Sequence, residues 1–416
     1  MKIKGQEYEI NRDNAVVSKW DNIYCDLLKR ILIYGEYVEN RTGIPTYSVD
    51  TALFTIDLEK DGYPLLESKK VNIKNAISEL LWIYQAQSND VSWLHDRGNK
   101  IWDEWEIDQD GIYRIYEASG EYDPDKQVPV MDLDGNVMHD EDGNVIYTGG
   151  VNKPSTCNKT IKSAKYFGKE YAGTIGTAYG WINNKFKRPQ YVLDKLKNDP
   201  RDRRMVISMW QDEYLKTAVL PSCVWSSTWK VSNGRLNAIV NQRSCDVPLG
   251  LPFNVSQYAC LLEMFAKVSG YKPGKLTFSI MDAHVYDNQV DKVKLQLERF
   301  DRMKTWERKI SSMTDKQLEE QYNAMLRLKE KLSKINADDE KIVEWKRDID
   351  EEIMIFELMV TKEKPILKLA NYDNFFDYSN EVNNDSEYLK ENMTGNKDIK
   401  VLKYKSAPFL KMPVAQ

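Results

Sequence analysis

The amino-acid sequence predicts an α/β (α+β) fold, and three patterns predict it. Helical and strand periodicities alternate over residues 20–105 and again over 173–300. Between these stretches, residues 107–172 turn rich in Gly, Asp, Tyr and Lys, a composition of short strands joined by tight turns. Beyond them, apolar residues recur at three-four spacing through 304–361, as in paired helices.

Taken in order, Ile73, Ala76, Ile77, Leu80, Leu81 and Tyr84 give a helix one apolar face. Glu79 lies beside that face, where partial burial would perturb its carboxyl. A surface glutamate bordering a core helix reads the same way. In the next segment, Asp132-Leu133-Asp134-Gly135-Asn136-Val137 is echoed by Asp140-Glu141-Asp142-Gly143-Asn144-Val145. Asp-Gly and Gly-Asn pairs flanked by apolar residues predict hairpin turns. A calcium loop is not predicted, because the EF-hand ligand ladder and its final glutamate are missing. Val224 to Val231 and Leu236 to Val240 read as strands about the turn Asn233-Gly234. Phe253 to Val268 reads as a core helix, with only its first turn, at Asn254, facing a ligand.

In the last patterned stretch, Leu318, Tyr322, Met325, Leu328, Leu332 and Ile335 mark one helix, which Thr314-x-x-Gln317 caps. Ile342, Trp345, Ile349, Ile353 and Phe356 mark a second, so a helical hairpin is expected. Its polar face mixes both charge signs, which argues against a membrane surface.

The 416 residues carry a formal charge of −5, which argues against a nucleic-acid-coating surface. Phosphate binding would therefore depend on a local arginine cluster. No apolar run predicts a signal peptide or a bilayer span. Cysteines 25, 157, 223, 245 and 260 follow neither metal-site nor disulfide spacing, and three histidines lie far apart. A reducing cytoplasm and the absence of a metal are the expectations.

The chemistry concentrates in Leu220-Pro221-Ser222-Cys223-Val224-Trp225 and, twenty residues on, Gln242-Arg243-Ser244-Cys245-Asp246-Val247-Pro248-Leu249-Gly250-Leu251-Pro252-Phe253-Asn254. A nearby guanidinium favours the reactive thiolate. Read alone, Cys223 is equally a small buried residue, the commoner use of cysteine. The two segments resemble the nucleophile and nucleotide-binding segments of the thymidylate synthase family. The resemblance continues in order through Arg41-Thr42-Gly43, Pro64-Leu65-Leu66 with Lys69-Lys70, and Ser78-Glu79-Leu80-Leu81-Trp82. It runs on through Ile101-Trp102-Asp103-Glu104-Trp105, Gly176 to Gly180 with Tyr179, and Asp202-Arg203-Arg204. Asp282-Ala283-His284-Val285-Tyr286 and Pro413-Val414-Ala415 complete it.

The resemblance implies one domain over 1–416, a large mixed β-sheet with helices, and sheet-to-sheet homodimers. Residues 107–172 then read as a β-rich insertion and 304–361 as a helical-hairpin insertion. It implies that Cys223 adds to carbon 6 of dUMP, so that carbon 5 attacks the one-carbon unit of 5,10-methylenetetrahydrofolate. Arg41, Arg243 and Ser244 would hold the phosphate, joined by Arg203 and Arg204 of the other subunit. Gln242 belongs to the same nucleotide-binding run. Asn254 would select uracil over cytosine, and His284 and Tyr286 would bind the sugar hydroxyl. Without the resemblance, the arginine pair reads as solvated and His284 as a core residue. Glu79 and Tyr179 would move protons. Asp246, Trp102, Trp105 and Gly250 would meet the folate, Lys69 and Lys70 its glutamyl carboxylates, and Ala415 would belong to a closing tail.

Departures from the family pattern are Ser222, Val224, Thr228, Pro248 and the terminal Gln416, which replaces an apolar residue. A leakier tail at Gln416 would let water reach the methylene intermediate, yielding 5-hydroxymethyl-dUMP. The alternative readings are thus a dUMP hydroxymethylase and a silent nucleotide-binding scaffold. The folate-side residues favour hydride transfer.

Overall fold

A computed structural model describes residues 2–117, 120–151, 158–335 and 340–414. The expectations for Cys157, the hairpin connection at 336–339, Ala415 and Gln416 lie outside the described residues.

The elements that build the site are, in chain order, helix α1 (Lys19–Tyr34), strands β1 (Glu36–Val38) and β2 (Thr46–Asp57), and helix α2 (Ile73–Tyr84). Strands β3 (Ile112–Tyr116), β4 (Gln127–Met131), β5 (Tyr147–Gly149) and β6 (Ile161–Tyr166) follow, then helices α3 (Gly180–Phe186) and α4 (Arg188–Asn198). Next come β7 (Val206–Ser208), β8 (Val224–Ser232), β9 (Arg235–Gln242), β10 (Cys245–Asp246), α5 (Leu251–Val268) and β11 (Lys272–Tyr286). Helices α6 (Val290–Ser312), α7 (Asp315–Ser333) and α8 (Glu340–Thr361) precede a C-terminal stretch that holds a two-stranded sheet, Ile366–Leu369 with Ile399–Leu402, and a short helix, Ser386–Asn392.

The main sheet is mixed, in the order β1-β2-β11-β9-β8-β7, with β10 paired beside β11. β9 and β11 run parallel, whereas β2 and β11 are antiparallel over eleven paired residues. Alternation sorts the side chains. Ala52, Phe54 and Ile56 face inward opposite Ile280, Phe278 and Leu276, and Phe54 stacks on Phe278 at 5.5 Å. α1 and α5 cover this face and α2 packs on α5, with Tyr24, Leu28, Leu81, Trp82, Phe265 and Leu262 fully buried. Each such side chain contributes about 1.5–3 kcal/mol by leaving water. The opposite face stays open: Leu53 is 75% exposed, Met281 56% and Ile239 47%.

Residues 107–172 form a separate four-stranded sheet, β3-β6-β4-β5. At both predicted turns an aspartate closes the loop, Asp132 accepting from the Asn136 amide and Asp140 from the Asn144 amide, each at 2.8 Å. The carboxylates are therefore occupied by their own backbone, and no metal-binding cluster occurs among the described residues. Leu133, Tyr113 and Phe167 pack with Val219 and Trp105, which seats this sheet beside the Cys223 segment.

The helical hairpin is α7 and α8, with Thr314 and Gln317 forming the expected capping box. The expected start at 304 falls inside α6, which runs unbroken from Val290 to Ser312 and carries the hairpin on its end. Trp306, Tyr322 and Phe356 form the joint, Tyr322 stacking on Phe356 at 5.3 Å. Arg299 grips Glu351 through two bonds of 2.9 and 2.8 Å. Leu328, Ile335 and Trp345, expected on the apolar seam, are 47%, 43% and 56% exposed. They lie toward the far end of the hairpin, away from that joint. Among the described residues no helix is long and apolar enough to cross a membrane.

Candidate active site

Cys223 stands at the start of β8, and the pairing of Val224 with Gln242 sets Arg243 beside it. Arg243 is woven into the nucleophile loop. Its backbone amide donates to the Cys223 carbonyl at 3.0 Å. Its guanidinium donates to the carbonyls of Pro221 at 2.6 Å and Ser222 at 3.2 Å, and reaches Cys223 Sγ at 3.6 Å. Tyr179 closes the other side, its hydroxyl accepting from the Cys223 amide at 3.0 Å. Three residues before Tyr179, Gly176 lets its loop press against Thr217: its φ is +71°, and a Cβ there would lie 2.0 Å from the Thr217 carbonyl oxygen. Burial pushes the thiol up, while Arg243, Arg41 and the Tyr179 bond pull it down without cancelling the rise. Burial thus outweighs the pull toward thiolate that Arg243 alone would exert.

Cys223 opens into a cleft of about 470 Å³ that also holds Arg41, Ser244, His284, Tyr286 and Trp105. The register of β11 against β2 places His284 opposite Ser48 and Tyr286 opposite Thr46. Asp282, which the sequence reading left without a role, joins these groups. It accepts from Ser48 Oγ at 2.6 Å and Ser244 Oγ at 2.8 Å, and lies 3.4 Å from His284 Nδ1. These bonds outweigh its partial burial and hold its pKa at about 2. Burial opposes charge on His284, but the Asp282 carboxylate outweighs that and raises its pKa. Arg203 and Arg204 do not line this cleft. Both are exposed, and Arg204 is paired with Asp202 at 2.9 and 3.0 Å.

Glu79 sits where α2 crosses α5. Trp102 Nε1 donates to one carboxylate oxygen at 2.7 Å, and Gln257 Nε2 to the other at 2.5 Å. Burial raises the Glu79 pKa, and these two bonds oppose the rise. Gln257 continues to Asn254, whose Oδ1 accepts from Gln242 at 3.1 Å. Gln257 was missed in the sequence, although a long polar side chain three residues past Asn254 on an apolar helix was a visible signal.

Next to Cys245 on β10, Asp246 accepts from the Leu249 amide at 3.0 Å and from Gln289 Nε2 at 2.9 Å. Burial raises its pKa. Gln289, also missed, is fully buried and donates to the Pro413 carbonyl at 3.0 Å, tying the C-terminal stretch to Asp246. Gly250 precedes α5 and accepts from the Asn254 amide at 3.0 Å. Trp102 packs edge-on to Tyr179 and Trp105, both at 5.4 Å. Lys69 departs from its expected role. It is buried, donates to the Pro248 carbonyl, and burial lowers its pKa to about 8. Lys70, by contrast, is exposed.

A family model described as Thymidylate synthase matches residues 22–344. The chain belongs to the thymidylate synthase family. The thymidylate synthase of Clostridium beijerinckii is 38% identical over 283 residues, 68% of this chain and 83% of that protein. That of Staphylococcus haemolyticus is 31% identical over 293 residues, 68% and 87% of the two chains. The solved structure of thermostable thymidylate synthase A from Bacillus subtilis is similar with a TM-score of 0.56 and 25% identity. It covers 95% of this chain and 99% of that one. The chain is thus an enzyme of the thymidylate synthase type, a methyltransferase.

Proposed function

We propose that the chain reductively methylates dUMP to dTMP with 5,10-methylenetetrahydrofolate as co-substrate. The observation that carries this reading is the junction of three groups. Cys223 and Arg243 lie 3.6 Å apart at the cleft, and Tyr179 links that loop to the Glu79 and Trp102 wall. Cys223 Sγ adds to carbon 6 of uracil, and the electron pair passed to carbon 5 forms the bond to the one-carbon unit. The carbon 5 proton then leaves, with Glu79 and Tyr179 as the groups that relay it. The bond between the one-carbon unit and the folate nitrogen breaks, leaving a methylene on carbon 5 and tetrahydrofolate; hydride from that folate reaches the methylene as Cys223 leaves carbon 6, yielding dTMP and dihydrofolate.

Arg41, Arg243 and Ser244 bind the phosphate in this reading, His284 and Tyr286 the sugar hydroxyl, and Asn254 the base. Asp246, Gly250, Trp102 and Trp105 receive the folate, and Lys70 remains the lysine able to meet its tail.

The chain is read as one domain over 1–416, with the insertions at 107–172 and at the α7–α8 hairpin. It acts as a homodimer. A parallel β9–β11 pair is normally covered on both faces, and the exposed Leu53, Ile239 and Met281 supply an apolar surface for a second copy. The exposed Arg203 and Arg204 then serve the phosphate of the other subunit.

Incubation with dUMP and methylenetetrahydrofolate tests the reaction. Dihydrofolate and dTMP are the expected products. Tetrahydrofolate with a hydroxymethylated nucleotide would replace the synthase by a hydroxymethylase. Bound but unconverted dUMP would make the chain a scaffold. Cys223→Ala is expected to abolish turnover.

A further inference from the structure

The base-reading amide of Asn254 has two orientations, and its chemistry alone does not choose between them. With one face forward it offers N–H to uracil O4 and C=O to the uracil N3–H. Turned by 180° it offers C=O to the cytosine amino group and N–H to cytosine N3. Selection of uracil therefore requires that something hold the amide one way round.

Fixed acceptors on α2 supply that hold. Gln257 is 5% exposed, and its Nε2 donates both to Glu79 Oε2 at 2.5 Å and to the Ala76 carbonyl at 3.1 Å. A main-chain carbonyl and a carboxylate accept only, so the Gln257 amide cannot turn round. Its Oε1 must then face Asn254, where it accepts from Nδ2 at 3.4 Å. Asn254 Oδ1 is in turn directed at Gln242 Nε2, 3.1 Å away. One N–H and one lone pair of Asn254 remain for the base.

We infer that Gln257 is the positioning residue that fixes uracil specificity, by locking the Asn254 amide to the Glu79 carboxylate and the Ala76 carbonyl. This inference rests on the proposed dUMP reaction and deepens it. The lock also couples base choice to proton transfer. Both Glu79 oxygens already accept N–H donors, from Trp102 and Gln257, so the arrangement favours the ionised carboxylate. Protonating Glu79 on the Gln257 side would set two hydrogens face to face and release the lock.

Two variants separate the coupled roles. Gln257→Met removes both the donor and the acceptor at similar side-chain length. The dUMP-to-dCMP ratio of kcat/KM is expected to fall at least about tenfold, with kcat at pH 6 dropping more than at pH 8. Gln257→Glu keeps an acceptor toward Asn254 but removes the donor to Glu79. Its dUMP-to-dCMP ratio is expected to stay within about threefold of wild type, while activity at pH 6 again falls relative to pH 8. An unchanged ratio in Gln257→Met, or a collapsed ratio in Gln257→Glu, would overturn the inference. Should the Met variant fail to fold by circular dichroism, the Glu variant and its pH profile decide alone. Absence of dUMP turnover in the wild type would instead refute the proposed reaction, so the two failures are distinguishable.

Discussion

Replacing Arg243 by Gln tests how the nucleophile is activated. In the structure the Arg243 guanidinium is 3.6 Å from Cys223 Sγ. Two unit charges at that separation attract by about 4–5 kcal/mol at an effective dielectric constant near 20. Both side chains border an open cleft, so roughly a third of this, about 1.5 kcal/mol, is the expected differential stabilisation of thiolate over thiol. That corresponds to about a tenfold smaller thiolate fraction in the variant. The assay is the rate of iodoacetamide alkylation at pH 8, read on the Cys223 peptide by mass spectrometry. Cys25, Cys245 and Cys260 are buried, and peptide mapping distinguishes them. Alkylation should slow about tenfold, and Arg243→Lys should recover part of the rate. The fall in kcat/KM should be larger, because the variant also loses the bonds to the Pro221 and Ser222 carbonyls that hold the loop. Equal alkylation rates in wild type and Arg243→Gln would refute the electrostatic argument.

Lys362 pairs with Glu67 at 2.6 Å in the interior, and burial lifts Glu67 to about 7 despite that partner. A carboxyl whose folded pKa lies above its unfolded value of 4.5 contributes most stability below 4.5 and loses it as pH rises toward 7. Lys362→Met should extend that loss to higher pH. The variant is expected to lose about 1 kcal/mol more at pH 7.5 than at pH 5.5, measured by urea unfolding; equal losses at both would contradict the pairing. Ile239→Asp places a charge on the sheet face that the proposed homodimer would cover; sedimentation should then show monomers, with activity lost along with the proposed contribution of Arg203 and Arg204 to the second copy. Mixing it with an Arg203→Ala, Arg204→Ala variant should not restore activity unless the face still associates. Gln289→Leu cuts the bridge between Asp246 and Pro413 and should raise KM for the folate several-fold while leaving dUMP binding unchanged by calorimetry.

Local chemistry made much of this legible in the sequence. Periodicity marks α2 and α5, the Asn233-Gly234 turn marks β8 and β9, and Thr314 with Gln317 marks the start of α7, because each depends on residues within one or two turns of chain. The resemblance brought Cys223, Arg243, His284 and Asn254 forward by type and order. Lys69 was misread because adjacent lysines differ in burial only after the chain folds, one donating inward to Pro248 and the other remaining exposed. The hairpin was placed, but its seam was drawn too long: spacing shows which residues share a face, not where a partner helix ends.

The amino-acid sequence by itself determined the element types, the residue kinds available for covalent chemistry, and the absence of a charge field suited to nucleic acid. Only the tertiary structure decided that the Cys223 pKa is raised, because that balance sets burial against guanidiniums from separate segments, Arg243 and Arg41. Packing of α2 on α5 alone brought Glu79 to Gln257, 178 residues away. Hydrogen-bond direction along Ala76, Gln257, Asn254 and Gln242 depends on which acceptors meet in space, and spacing along a chain carries no record of that.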